Sequence, residues 1–395
     1  MATGAGIAGG GDHDALRREV ATLIERLDRR PLPRHLDERF ARLVEAQKQL
    51  HDAGLAVVAW PERFGGRGFG PAEAAVVAGA LGRAGTPETI NFVALEVVAP
   101  ALLRYATEEQ LARWLPPMGP AEEVWCQLFS EPDAGSDLTS LRTRAVRDGD
   151  DWLVTGSKVW CTWGQFAHRG LLLARTGSVE SRHKGISAFV VDMHAPGIDV
   201  RPLTTMTGIS EFAEVHFEQA RVPGSDLVGD VDGGWLVALE MLSAERGPYA
   251  VRRASVLQGA LVALHAEIQA RSEASPNAAL GTTSGLRRRI VDATIAMELL
   301  ERRISQVVRQ LEQGLAIGAE AAVTKMLLTR AEQHVFAACQ EALGLPGVAW
   351  VGEEHPWVEA FLYSRAASIY GGTEQIQRNT IGERLLGLPR EPQSS

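Results

Sequence analysis

The sequence is poor in cysteine. Its 395 residues contain three cysteines, Cys126, Cys161 and Cys339, which lie far apart and show no CxxC spacing. A disulfide framework or a cysteine-rich zinc site is therefore not expected, and isolated thiols suit a reducing compartment. We predict a cytoplasmic protein that holds no metal ion.

Excess positive charge and long apolar runs are also lacking. The chain carries 40 Lys and Arg against 49 Asp and Glu, and its formal net charge is -9. This balance gives no support for a nucleic-acid partner or for binding to an anionic membrane surface. No stretch reaches the roughly 18 consecutive apolar residues of a transmembrane helix. We therefore expect neither nucleic acid nor a membrane among the partners.

The N-terminus lacks the basic region and the long apolar region of a signal peptide. Its "GAGIAGG" has the glycine content of a phosphate-binding loop, but no strand precedes it and no βαβ unit is visible. We expect residues 1–11, and likewise 391–395, to be disordered.

What is present divides into three segments, and the first, residues 12–121, is predicted to be helical. "HDALRREVATLIERLD" and "LDERFARLVEAQKQLHDAG" place apolar residues three and four apart. Gly54 is the expected C-cap of the second helix. Thr107, followed by Glu109 and Gln110, has the pattern of a capping box.

The second segment, residues 122–232, is predicted to be a β-domain. Short stretches such as "RGLLLART", "GISAFVVDM" and "FAEVHFEQARVP" are rich in β-branched and aromatic residues and are separated by turn residues. Parallel strands need crossover helices, for which this segment has no room, so a mostly antiparallel sheet is expected.

The third segment, residues 233–390, is predicted to be a four-helix bundle. It contains one long helical candidate from Gly234 to Ser272, a break with Pro and Ser, and two further long amphipathic stretches. The predicted fold class is α+β, mostly α, in the order helical, β, helical.

Two motifs in the β-segment suit a flat ligand. The loop "SEPDAGSD" begins at Ser130 and offers backbone N–H groups and small hydroxyls, although an ordinary turn between strands is the alternative. Trp160 and Thr162 lie two residues apart, so on a regular strand they share a face. An indole that packs and a hydroxyl that donates suit an aromatic cofactor. A core Trp beside a surface Thr remains the alternative.

Five motifs together carry a family resemblance. They are "SEPDAGSD", "GSKVWCT", "GIDVRPL", "FEQARVP" and "IYGGTEQIQRNTIGERLLGLPR". In this order they resemble the acyl-CoA dehydrogenase family, and the resemblance runs from about Ala53 to Arg390. It implies a helical N-terminal domain, a β-barrel-like middle domain and a C-terminal four-helix bundle.

The resemblance implies FAD as the cofactor, with no metal. The positions that match the family's flavin and substrate contacts are Phe129, Ser130, Trp160 and Thr162 for flavin, Ser136 for substrate and pyrophosphate, and Thr373 and Gln375 for FAD of the same or a neighbouring subunit.

The implied reaction is α,β-dehydrogenation of an acyl thioester, in which a base removes the α-proton and a β-hydride passes to FAD. Many members carry the base as Glu in the C-terminal turn, where this chain has Gly371, whose backbone N–H can still contact the thioester oxygen. Other members place the base on a bundle helix, in a Glu-Arg pair that matches Glu245 and Arg246. We therefore predict Glu245 as the base and Arg246 as a substrate contact, with Glu240 the weaker candidate and Glu374 directed elsewhere.

The sequence departs from the family at two positions that reach FAD across a subunit interface. The Arg-x-x-Phe-Gly motif is missing from Gln269–Gly281, and Leu345 replaces a glycine. The expected assembly is a homodimer or homotetramer, with a heteromeric partner chain as the alternative. The substrate is an acyl-CoA or an acyl-carrier thioester, and the implied electron acceptor is an electron-transferring flavoprotein.

Two other functions stay open at this point. The chain could be a flavin oxidase or monooxygenase of the same fold, which would need no α-proton base. It could also be a catalytically silent subunit that completes the FAD site of a partner.

Overall fold

The computed structural model of the protein describes five stretches of the chain. They are residues 12–244, 247–274, 284–315, 317–344 and 355–390. Several predictions fall on other residues: both terminal segments, the break after residue 274, and the roles of Glu245, Arg246 and Leu345 lie outside the described residues.

The described elements follow the predicted order of helices, strands and helices. The helices are Asp12–Ile24 (α1), Leu36–Asp52 (α2), Pro71–Arg83 (α3), Ala99–Tyr105 (α4), Glu108–Trp114 (α5), Gly234–Ala244 (α6), Pro248–Ala274 (α7), Ser284–Glu312 (α8), Ala321–Ala342 (α9), Pro356–Tyr363 (α10) and Glu374–Thr380 (α11). The strands are Trp125–Leu128 (β1), Arg144–Asp148 (β2), Asp151–Thr162 (β3), Arg169–Arg175 (β4), Ile186–Asp192 (β5), Ile198–Leu203 (β6), Phe212–Val222 (β7) and Leu227–Val228 (β8). The predicted fold class is confirmed.

The described residues form two compact units. One contains residues 12–31, 69–86 and those described after 246, and the other contains residues 32–68 and 87–244. The second unit holds the whole sheet together with α2, α4, α5 and α6. The first holds α1, α3 and the helices from α7 onward.

The sheet is mostly antiparallel, as predicted, but it contains two parallel pairings. Its strand order is β6-β7-β3-β2-β4-β5-β8, and β1 pairs with β4 beside this path. Both β1 and β2 run parallel to β4. The expectation that parallel pairs need a crossover helix was too narrow, because β2 and β3 themselves supply the connection from β1 to β4.

Strands β4 and β5 are buried on both faces, which explains their nearly continuous apolar sequences. Leu171 and Leu173 belong to an apolar cluster that also contains residues of α4 and α6. Leu172 and Ala174 point into a second cluster, formed by residues of β1, β3 and β7. One face of β4 and β5 therefore packs on helices, and the other packs on further strands of the same sheet.

Local signals mark the ends of the N-terminal helices. The C-cap of α2 is Ala53, and Gly54, the predicted cap, is the next residue, with φ +66°, a conformation that glycine adopts without a steric penalty. At the start of α5, the Thr107 hydroxyl accepts a hydrogen bond from the Gln110 N–H, and the Gln110 side chain accepts one from the Thr107 N–H. The predicted capping box is confirmed.

The long helical candidate that begins at Gly234 is two helices. α6 ends at Ala244 and α7 begins at Pro248, where proline is tolerated because the first turn of a helix leaves its N–H groups unbonded. α7, α8 and α9 pack together around buried residues such as Leu257, Leu300 and Val335, and α3 packs on α7. Across the described helices, none has the length and apolarity required to cross a bilayer.

Candidate active site

The loop after β1 is held by its backbone on both sides of Ser130. The Lys158 ammonium donates to the Phe129 carbonyl at 2.9 Å, and the Val159 N–H donates to the Ser130 carbonyl at 2.9 Å. The Phe129 side chain is buried in an apolar cluster, so any ligand contact by this residue must come from its backbone. The Ser130 hydroxyl makes no hydrogen bond within the described part of the chain.

A buried ion pair stands beside this loop. The Lys158 ammonium is 0% exposed and lies 2.8 Å from Oε1 of Glu131, whose side chain is 8% exposed. The Glu131 carboxylate also accepts hydrogen bonds from the backbone N–H groups of Arg142 and Thr143, at 2.6 and 2.9 Å. The carboxylate thus accepts three hydrogen bonds, one of them from a buried cation.

Burial and pairing act in opposite directions on these two charges. Burial favours the neutral acid of Glu131, but the Lys158 charge and the N–H donors outweigh it and hold the pKa of Glu131 below its usual range. Complete burial lowers the pKa of Lys158, and the Glu131 charge opposes that effect. Glu131 is thus an anion at neutral pH.

β3 is not a regular strand where it carries Trp160 and Thr162, so strand alternation by itself does not place the two side chains on one face. The pairing of β3 with β7 shifts register between Lys158 and Cys161, and Trp160 has φ +63°. A bulge breaks the alternation of side chains. The Trp160 ring is 59% exposed and lies edge-on to Phe212, 5.9 Å between centroids, and Phe212 is the cross-strand partner of Thr162. Phe212 therefore lies next to both Trp160 and Thr162.

Other predicted ligand contacts in this unit also carry polar atoms without protein partners. Within the described residues, the hydroxyls of Ser136 and Thr162 and the indole N–H of Trp160 make no hydrogen bond. Ser136 is exposed in the turn that follows Ala134, whose N–H and C=O both bond to Glu131. An exposed ring with hydroxyl donors on adjacent segments suits a flat ligand with a polar edge.

The C-terminal turn of the helical unit is shaped by two glycines and one buried amide. Gly371 and Gly372 have φ +62° and +91°, which few other residues adopt. The Gln377 side chain is 2% exposed, and its amide donates to the carbonyls of Gly371 at 3.0 Å and Gly372 at 3.4 Å. The Gly371 N–H donates to no acceptor among the described residues.

Thr373 begins α11 as its N-cap. Its hydroxyl oxygen accepts a hydrogen bond from the Ile376 N–H at 3.3 Å, which leaves its O–H free to donate to a ligand. Gln375 is exposed on the first turn of the same helix. These two residues and Gly371 belong to the helical unit, whereas Ser130, Trp160 and Thr162 belong to the unit that contains the sheet.

Helix α9 anchors the segment that leads into this turn. Lys325 and Thr329 both donate to the Ala367 carbonyl, at 2.9 and 3.0 Å, and Gln333 donates to the Ser364 carbonyl at 3.2 Å. The backbone before Gly371 is therefore fixed by three side chains of one helix.

The two weaker candidates for a catalytic carboxylate are both engaged in ion pairs. Glu240 on α6 lies 2.7 Å from Arg104 on α4. Glu374 is paired with Arg378, one helical turn later on α11.

The sequence did not identify the buried side chains that hold the backbone of the site, Lys158, Glu131 and Gln377. Lys158 and Glu131 lie inside quoted motifs, but no local pattern shows that they meet across 27 positions. Gln377 lies four residues after Thr373, the predicted FAD contact, and so on the same side of the helix.

Profiles of three domains match the chain in order. They are "Acyl-CoA dehydrogenase, N-terminal domain" over residues 11–122, the middle domain over residues 126–220 and the C-terminal domain over residues 232–386. The chain belongs to the acyl-CoA dehydrogenase family. It is accordingly an enzyme, an oxidoreductase of the acyl-CoA dehydrogenase class.

Relatives in this family are similar along most of the chain. Acyl-CoA dehydrogenase IpdE1 of Mycobacterium tuberculosis is 35% identical over 347 residues, which cover 87% of each protein. Among solved structures, the steroid ACAD Tcur3481-Tcur3483 is 27% identical with a TM-score of 0.82 and covers 97% of this chain and 99% of that one. The ChsE4-ChsE5 complex from Mycobacterium tuberculosis is 26% identical with a TM-score of 0.81, at 97% and 99% coverage.

Proposed function

We propose that the protein is an FAD-dependent dehydrogenase that converts an acyl-CoA to its trans-2-enoyl-CoA. The family shows acyl-CoA dehydrogenation in general. The observation that carries the specific proposal is the pair of unbonded hydroxyls of Ser130 and Thr162, on the segments that adjoin the exposed Trp160, next to a loop whose backbone is fixed at Phe129 and Ser130.

The donor set fits FAD. Ser130 and Thr162 offer hydroxyls, and Trp160 offers an exposed ring, which suit the polar edge and the flat face of an isoalloxazine. Ser136 would contact the substrate and the pyrophosphate, and Thr373 would donate its free O–H. Gln375 and the backbone of Phe129 complete the proposed cofactor contacts. When bound, FAD supplies the acceptor for the hydride that leaves the β-carbon.

We assign the removal of the α-proton to Glu245. Gly371 has no carboxylate, and the carboxylates of Glu240 and Glu374 are each engaged in an ion pair with an arginine. A carboxylate beside an apolar acyl chain has a raised pKa, which suits it to take up a proton near neutral pH. Arg246, next to it in sequence, would contact the substrate.

The Gly371 N–H would donate to the thioester oxygen as negative charge develops there. A donor that is fixed before the reaction begins stabilises this charge without reorganisation. Gln377 and the positive φ of the two glycines provide that fixation. The side chain at position 371 would therefore be dispensable, while its backbone would not.

We further propose that the chain works in an oligomer and passes its electrons to an electron-transferring flavoprotein. A homodimer or homotetramer would be the simplest assembly. Two solved relatives are named as pairs of different chains, Tcur3481-Tcur3483 and ChsE4-ChsE5, which supports a heteromeric partner as the alternative.

The test is an anaerobic titration of the purified protein with short, long, branched and steroid side-chain acyl-CoAs, followed at the blue flavin absorbance band. We expect bleaching with one acyl class and its loss in Glu245→Gln. Glu240→Gln is the matched control, because it removes a carboxylate five residues earlier on the same stretch, and it should still bleach.

Two other results would redirect the assignment. Flavin that is bound but bleaches with no acyl-CoA, and whose reduced form reacts rapidly with oxygen, would support an oxidase or monooxygenase. A protein that takes up no FAD would support a silent subunit, and co-expression with a partner chain would then be expected to restore the flavin.

A further inference from the structure

We propose that Lys158 and Glu131 are positioning residues for the cofactor, which they hold through the backbone of Phe129 and Ser130 and the bulge at Trp160. This inference rests on the proposed function. It gives a role to two residues that would touch neither FAD nor substrate themselves.

The pair fixes the ligand-facing loop at its backbone. Lys158 donates to the carbonyl that precedes Ser130, and Val159 donates to the carbonyl of Ser130 itself. The direction of the Ser130 hydroxyl is set by these two peptide groups, because the hydroxyl has no partner of its own within the described chain. Loss of the Lys158 donor would release the Phe129 carbonyl, which belongs to one of these two peptide groups.

The same lysine also lies at the start of the bulge. The register of β3 shifts immediately after Lys158, and Trp160 follows two residues later. The side chain of Lys158 thus ties the loop at Ser130 to the strand segment that carries Trp160. Together with the Val159 N–H, the Lys158 side chain thus holds the two proposed flavin contacts at a fixed spacing.

Burying the charges of Lys158 and Glu131 costs free energy of solvation. Lys158 is completely buried, and desolvation makes such a pair a poor source of stability compared with apolar residues of similar size. The fixed donor geometry at Phe129 and Glu131 is what an apolar pair could not supply. Function, rather than stability, accounts better for the charges.

The test compares Lys158→Met/Glu131→Gln with the unsubstituted holoenzyme. The double variant removes both charges and leaves an amide whose single oxygen can still accept from one of the N–H groups of Arg142 and Thr143. We expect the dissociation constant for FAD to rise about tenfold or more, since losing a charged donor has an effect of that order. The flavin absorbance band should change shape, and kcat should fall more than KM rises.

Arg113→Met is the matched control. Arg113 lies 2.8 Å from Asp226, whose side chain is 4% exposed, so this variant removes the cation of another buried carboxylate in the same unit. It should lose thermal stability but keep the FAD affinity and the flavin spectrum of the parent. A purely structural role for Lys158 predicts the same behaviour for both variants.

The outcomes separate this proposal from the proposed function. If the unsubstituted protein binds no FAD, the proposed function fails. If it binds FAD and the folded double variant binds FAD equally, with the same spectrum, the positioning role is overturned. Should the double variant not fold, Lys158→Gln, which keeps a shorter donor at this position, is judged by the same two readouts.

Discussion

The turn at Gly371 depends on a single buried amide, and we predict that Gln377→Met will loosen it. Methionine has a similar length and helix propensity, so α11 should persist. The variant removes the two hydrogen bonds that Gln377 donates to the carbonyls of Gly371 and Gly372. Thr373 should still cap the helix, because its hydroxyl bonds to the Ile376 N–H independently.

The expected loss of stability follows from these two contacts. The bond of 3.0 Å to Gly371 has ordinary length, while the bond of 3.4 Å to Gly372 is long and weak. Both glycines are half-buried, so water can replace part of what is lost. We expect the free energy of unfolding of the helical unit to fall by about 1–2 kcal/mol.

The expected effect on catalysis is larger than that on binding. A displaced Gly371 N–H should weaken a contact that matters most in the transition state, so kcat should fall while KM changes little. We expect a loss of roughly tenfold, less than the roughly 10²–10³ seen when an oxyanion donor is deleted outright.

Urea unfolding and anaerobic stopped-flow reduction of the flavin would measure the two effects. Asn379→Ala is the control, since it removes an exposed amide from the same helix and should leave both values unchanged. An unchanged unfolding midpoint together with an unchanged reduction rate in Gln377→Met would refute the reasoning.

Three further predictions follow from backbone geometry and burial. Because the pKa of Glu131 is lowered in the folded protein, its stabilising contribution is present above the ordinary glutamate pKa and is lost as the pH falls through the folded value. Glu131→Gln should therefore flatten the acid limb of the stability profile, measured by urea unfolding at a series of pH values, and an unchanged acid limb would contradict this. Gly372→Ala places a Cβ 2.4 Å from the Gln377 amide at φ +91°, whereas the Cβ of Gly387→Ala, at φ +66°, meets no atom within 4 Å. Such backbone strain typically lowers the free energy of unfolding by roughly 1–3 kcal/mol, and thermal unfolding should show the larger loss for Gly372→Ala. Equal losses would count against the clash. All three cysteines are buried, and burial raises the pKa of Cys161 to about 12, so none should react with a thiol reagent at pH 8 until urea is added; rapid labelling of the native protein would disprove it.

The sequence was a reliable guide wherever an element carries a long regular pattern, either an amphipathic spacing or a continuous apolar run. The amphipathic spacing of α2, α8 and α9 and the apolar runs of β4 and β5 predict elements that the structure contains. Strands β1, β2 and β8 were not predicted, since they have two to five residues and little alternation. Their pairing is decided by partners far along the chain, which no local pattern encodes.

The site was predicted less completely than the fold. The ligand-facing residues Ser130, Trp160 and Thr162 stand in recognisable motifs, but the bulge that turns Trp160 outward depends on how β3 meets β7. A lysine in a strand usually reads as a solvent-facing residue, so the complete burial of Lys158 could not be read from its neighbours in sequence. Such residues become visible only when tertiary contacts are known.

Arg175 holds two further loops of the sheet unit. Its guanidinium is buried and donates to four backbone carbonyls, those of Leu141, Thr139, Ser178 and Arg182, at 2.7 to 3.1 Å. None of these bonds involves a side chain of the loops themselves. The loops can therefore exchange their side chains during evolution without losing their anchor, and their outward-facing chemistry can diversify on an unchanged backbone, whereas Arg175 itself cannot be exchanged.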